Sequence, residues 1–82
     1  MRKGDKEVLL KLLEGERLYK WTGKLPPTIM FDKSEERISN RGILSSLFKK
    51  ALIKIDDHSA CETWYILTDI GQQIASNLKS KQ

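Results

Sequence analysis

The stretch 37–54, RISNRGILSSLFKKALIK, carries five basic side chains and no acidic one. On a helical wheel of about 100° per residue, Leu44, Leu47, Phe48 and Ala51 fall on one side. Arg41, Gly42, Ser45, Ser46 and Lys49 fall on the other, with Lys50 at the edge. One face is therefore apolar and suits a core, while the opposite face is small, polar and positive. Small residues let a helix backbone approach a partner closely, and Arg, Ser and Lys can bond to phosphates and base edges. This pattern predicts a helix over 40–51 made to lie in a DNA major groove. Surface helices ordinarily mix charges of both signs, and the absence of acids here argues against a merely solvated face.

The surrounding chain narrows the options. Its 82 residues, 39% of them hydrophobic, suggest one small domain over 1–82. A core this small gains from a partner, which makes oligomerisation an expectation. The formal net charge is +4. The positive excess lies in the first two thirds of the chain, which agrees with an anionic partner. Cys61 is the single cysteine, so no internal disulfide can form, and a reducing, cytoplasmic location is expected. There is no apolar run long enough for a signal peptide or a membrane span.

Asp5 is a plausible N-cap for a first helix over 6–14, with Val8, Leu9, Leu12 and Leu13 at helical spacing and Gly15 as its stop. Over 18–24, Tyr19 and Trp21 alternate with Lys20 and Thr22, which suggests a short strand; a helix continuing past Gly15 would serve equally. Pro26 and Pro27 forbid a helix interior. Residues 28–33 can then form a short second helix or an extended segment. Asp32 and Glu35 have capping-box spacing, Ser39 is a second cap candidate, and 34–38 reads as a connecting or early helical turn. After the central helix the period changes. Leu52, Ile53 and Ile55, the polar turn DDHSACE, and the β-prone TWYIL over 63–67 together read as a hairpin. Thr68 or Asp69 then caps a last helix over 69–79 with a stripe of Ile70, Ile74 and Leu78.

Two strings carry a resemblance. Residues 47–53, LFKKALI, resemble the L-x-x-x-G-L-[IV] string that joins a recognition helix to a wing, with Ala51 where Gly is frequent. Residues 64–71, WYILTDIG, resemble the Y-x-L-T-x-x-G string that joins the wing's second strand to the next helix. The chain thus resembles small MarR-like winged helix-turn-helix regulators. That resemblance implies an α+β winged helix with a three-helix core, a two-stranded wing and a C-terminal helix. It implies a transcriptional regulator whose recognition helix enters double-stranded DNA. The candidate contact residues are Arg37, Ser39, Asn40, Arg41, Gly42, Ser45, Ser46, Lys49, Lys50 and Lys54. The family's basic wing tip is replaced here by Asp56, Asp57, His58 and Glu62, which phosphates would repel.

Other chemistries find less in the sequence. There is no glycine-rich phosphate loop, nucleophile set or buried-looking carboxylate pair, so no enzyme is expected and no cofactor. His58 and Cys61 alone are too few ligands for a metal site. Trp21, Trp64 and Tyr65 could stack on bases, but adjacent strand residues face opposite ways, so one of Trp64 and Tyr65 belongs to the core. A winged-helix module that docks a protein instead of DNA is the alternative function. The narrow C-terminal stripe suggests a homodimer seam; the alternative is that this helix folds back on the first.

Overall fold

The computed structural model describes residues 3–23, 27–38 and 42–81. Gly15, in the left-handed region at φ 106°, turns the chain out of the first helix, α1 (Lys3–Leu13). The apolar residues of α1 bury Val8, Leu9 and Leu12. Asp5 is not its N-cap. It lies inside the first turn, where a carboxylate suits the helix dipole, and is only 1% exposed.

The alternation after Gly15 resolves as strand. β1 (Leu18–Trp21) and β2 (Thr28–Phe31) form an antiparallel pair. Leu18, Ile29 and Phe31 point into the core, while Tyr19 and Met30, paired in register, point the other way. A turn follows at residues 32–34, and Glu35 takes a left-handed φ of 57°. Residues 36–38 then run back beside β2: Phe31 N–H donates to the Glu36 carbonyl and Ile38 N–H to the Ile29 carbonyl. The spacing of Asp32 and Glu35 therefore belongs to a turn and not to a helix cap.

The second half is α2 (Gly42–Lys49), β3 (Ile53–His58), β4 (Glu62–Leu67) and α3 (Asp69–Ser80). β3 and β4 form the expected hairpin, with a bulge between Ile55 and Asp57. β4 also pairs with β1, giving one antiparallel sheet of order β2-β1-β4-β3. Thr68 caps α3 by accepting from Gly71 N–H at 3.0 Å.

This order, α-β-β-α-β-β-α, overturns the winged-helix expectation. A winged helix needs a three-helix core followed by a wing. Among the described residues, the segment between α1 and α2 is a β-hairpin, with no helix to form the first half of a helix-turn-helix. The reason is local: Leu18, Ile29 and Phe31 bury their side chains only at a period of two, and the prolines interrupt any longer helix. The hairpin then adds to the exposed edge of β4, completing a sheet.

All three helices lie on one face of that sheet. The core between the layers holds Leu9, Leu18, Leu47 and Ile53, each almost wholly buried, together with Ile29, Phe31, Leu44, Tyr65 and Ala75. α1 packs along α3, and Ile74 and Leu78 are partly buried against the core. The C-terminal stripe is thus used within the chain, and only Ile70, 56% exposed, stands clear of it. Among the described residues, no helix is long and apolar enough to cross a membrane.

Candidate nucleic-acid interface

α2 forms because Ile43, Leu44 and Leu47 can be buried together on one side of an eight-residue helix. Its end is sharply defined. Ala51 N–H donates to the Phe48 carbonyl and Leu52 N–H to the Leu47 carbonyl, and Ala51 adopts φ 58°. This is a Schellman termination with alanine in the left-handed position that glycine usually fills. The string around Ala51 therefore has a physical content of its own, independent of any family.

The Thr68–Gly71 string also has one. The Thr68 hydroxyl donates to the Ala51 carbonyl at 2.6 Å, and Thr68 N–H donates to the Leu52 carbonyl at 3.1 Å. A Cβ at Gly71 would run into the Leu52 carbonyl oxygen. Thr68 and Gly71 thus clasp the end of α2 to the start of α3, fixing how α2 is presented. The sequence offers Thr68 or Asp69 as the cap; the clasp depends on contacts across 17 residues that local spacing does not reveal.

Gly42, Ser45 and Lys49 are exposed on α2, and Ser46 is half-buried. Lys49 makes no ion pair with a described residue. The small, polar, positive face read from the sequence is therefore the outward one over 42–49. Phe48 departs from expectation: it is 50% exposed and not core. Its ring meets Tyr65 edge-on at 6.2 Å, at the mouth of a groove of about 240 Å³ that also touches Lys20, Leu44 and Ser45. The helix ends too soon after Phe48 for the core to close over it. Ala51, also expected in the core, is exposed because it makes the turn.

The other expected contacts do not gather on this face. Ser39, Asn40 and Arg41 lie outside the described residues. Lys50 is exposed, but its Nζ sits 3.9 Å from an oxygen of the buried Asp5 carboxylate. That is beyond hydrogen-bond length, and neither Asp5 oxygen has a hydrogen-bond partner among the described residues. Among the described residues, Lys50 is the cation within 4 Å of this buried carboxylate. Lys54 pairs with Ile66, which places it on the sheet face away from α2; Arg37 bridges Met30 at the sheet edge and borders a groove with Gly4, Val8 and Ile43.

That opposite face holds the aromatic residues. Tyr19 and Trp64 have ring centroids 4.5 Å apart, and the Arg17 guanidinium lies 4.5 Å over the Trp64 ring. Tyr65, its neighbour on β4, is buried on the helical side, so the two split between the faces as alternation requires. Arg17 is held by Asp32, whose Oδ1 accepts from Arg17 N–H at 2.9 Å, and by Asp56 at 3.3 Å. Burial raises the Asp32 pKa, but the Arg17 backbone N–H and guanidinium outweigh it, so the carboxyl titrates below the usual range. The hydroxyl of Tyr19 is shifted upward by burial and by its bond to Glu62. Acids therefore stand among these aromatics: Asp32, Asp56, Asp57 and Glu62. Among the described residues, no group of three or more His, Cys, Asp or Glu side chains is arranged to hold a metal ion.

No protein-family model matches this chain, and neither the curated proteins nor the solved structures contain a significant match to it.

Proposed function

We propose that this protein binds nucleic acid, with double-stranded DNA as the partner, through the outward face of α2, and acts as a small regulator by occupying its site. One observation carries the reading: the exposed face formed by Gly42, Ser45 and Lys49, with Ser46 half-buried beside it, contains no acid, and Lys49 has no counter-ion among the described residues. Two features support it. Eight residues at about 1.5 Å each make a helix comparable in length to the width of a major groove, about 12 Å. The clasp at Ala51, Thr68 and Gly71 holds that helix rigidly on the sheet. A cytoplasmic setting accompanies this function.

The test is duplex affinity measured against salt concentration. Binding should weaken steeply with salt, because phosphate contacts release counterions. Lys49→Ala should weaken binding to all sequences alike and flatten the salt dependence by about one charge. Ser45→Glu should abolish binding by placing an acid against the phosphates. Salt-independent binding, or full affinity in both variants, would remove α2 from the interface.

A second reading, a protein-docking module, is favoured by a separate observation: Tyr19, Met30, Trp64 and Ile66 lie on a sheet face that no described element covers. A docking module would bind no duplex at any salt concentration. A homodimer seam on α3 has less to offer than the sequence suggested, since Ile74 and Leu78 already pack within the chain.

A further inference from the structure

We propose that the groove between α2 and the β1–β2 hairpin is a binding site for a small aromatic carboxylate, one ring carrying one acid group. The proposal does not rest on nucleic-acid binding.

Strand alternation builds the site. Lys20 follows the buried Leu18 by two residues on β1, so it belongs to the helical side of the sheet. Its register partner on β2 is Ile29. Ile29, Leu44 and Tyr65 are all buried core residues and give the groove an apolar lining. Pro27 and Phe48 extend that lining, and Lys20 and Ser45 supply its polar groups.

The charge in the groove has one sign. Its described lining residues include one cation and no acid. Lys20 is half-buried and has no ion pair with a described residue. An ammonium that has lost part of its hydration to apolar neighbours gains most from an arriving anion, through a charge-assisted hydrogen bond. Burial raises the Tyr65 hydroxyl above its ordinary pKa, so the phenol keeps its proton at neutral pH and remains a donor. The Ser45 hydroxyl is a further donor.

The apolar part calls for a ring. Phe48 is 50% exposed and meets Tyr65 edge-on at 6.2 Å. A ring laid beside them removes apolar surface from water that the fold itself leaves uncovered. The groove, at about 240 Å³, is smaller than the roughly 300–1,000 Å³ of sites for larger organic ligands, so it suits a single ring. An aromatic carboxylate answers Lys20 and Phe48 together. A neutral ring leaves Lys20 unpaired, an inorganic anion leaves Phe48 in water, and a cation is repelled with no acid to hold it.

Titration of the nitrogen-15-labelled protein by NMR at constant ionic strength tests the site, with benzoate and phenylacetate as probes. These should shift the backbone amide signals of Ser45 and Phe48 and saturate with a dissociation constant of roughly 0.1–10 mM, as the small size of the ligand dictates. Benzyl alcohol has the ring without the charge; acetate and inorganic phosphate have charge without the ring. Each should bind about tenfold more weakly or worse. Lys20→Gln should weaken benzoate about tenfold and leave benzyl alcohol unchanged. Lys20→Arg should retain benzoate, which separates lost charge from disturbed packing. Phe48→Ala should weaken benzoate and benzyl alcohol alike. The proposal fails if neither carboxylate moves these signals, or if benzyl alcohol or phosphate binds as tightly as benzoate. It fails equally if Lys20→Gln or Phe48→Ala binds benzoate as the parent does, or if Lys20→Arg loses it.

Discussion

Leu18 and Tyr19 are neighbours on β1 and face opposite worlds. Leu18 is fully buried beneath the helices, against Phe31 and Tyr65 in register. Tyr19 lies on the open side, its ring tilted against that of Trp64 and its hydroxyl bonded to Glu62. The same division runs through Tyr65 and Trp64 on β4. On the helical face, apolar groups are removed from water by three elements at once, and shape complementarity holds them. On the open face, large rings shelter one another, and charged groups fill the gaps: Arg17 over Trp64, Asp32 and Asp56 on Arg17. One sheet thus has a face that makes the fold stable and a face whose residues remain available to a partner. Stability and recognition are separated by the pleat.

The separation can be broken from either side. Leu18→Ala should cost about 2–5 kcal/mol, since it opens a cavity in a core with no slack, whereas Tyr19→Ala should cost about 0.5–1.5 kcal/mol, the worth of an aromatic pair. Urea unfolding of both variants checks this, and equal losses would mean that the open face also carries the fold. α2 spans the same contrast within one helix. Leu47→Ala should cost about 2–5 kcal/mol, while Phe48→Ala, half exposed, should cost clearly less; the melting temperatures of the two rank them.

A smaller effect of opposite sign is expected where α2 ends. Ala51 holds a left-handed conformation, which disfavours a Cβ by about 1–2 kcal/mol, so Ala51→Gly should raise stability by about 0.5–1 kcal/mol after the loss of unfolded-chain restriction. Thermal unfolding measures it, and a destabilised glycine variant would contradict the termination described. The smallest effect lies on the open face. Asp32 is held below its ordinary pKa in the folded chain, so its ionised form stabilises the fold above the unfolded value, about 3.9. That contribution disappears as pH falls through the lower folded value. Asp32→Asn should therefore lower stability by about 1 kcal/mol or less at neutral pH, and the gap from the parent should close below about pH 4. A gap that persists in acid would assign the loss to packing instead of charge.

Much of this molecule was legible along the chain because it follows from local period. Val8, Leu9 and Leu12 mark α1, and Gly15 its end. The change of period after Ala51 gives the β3–β4 hairpin, Thr68 caps α3, and the face of α2 that carries Gly42, Ser45 and Lys49 is outward as the wheel requires. These are properties a segment has by itself. The resemblance to winged helices does not extend to the fold. The strings around Ala51 and over Thr68–Gly71 are the marks of a left-handed helix end and a backbone clasp, and such a clasp can join a helix to a following helix in folds other than the winged helix.

Tertiary structure alone decided the rest. Residues 18–24 and 28–33 each admitted a helix or an extended segment until β4 offered an edge to which β1 could pair, and that pairing replaced the expected three-helix core by a four-stranded sheet. Asp5, which suits a helix cap by its local spacing, is buried in the fold with Lys50 3.9 Å away. The stripe of Ile74 and Leu78 suited either a partner or α1, and α1 was the nearer surface. Lys54, close in sequence to the positive face of α2, was carried to the other side of the sheet because it pairs with Ile66 on β4. Periodicity determines which residues share a face of their own element. Only pairing between distant segments determines which faces meet, because that choice depends on surfaces the chain does not hold side by side until it folds.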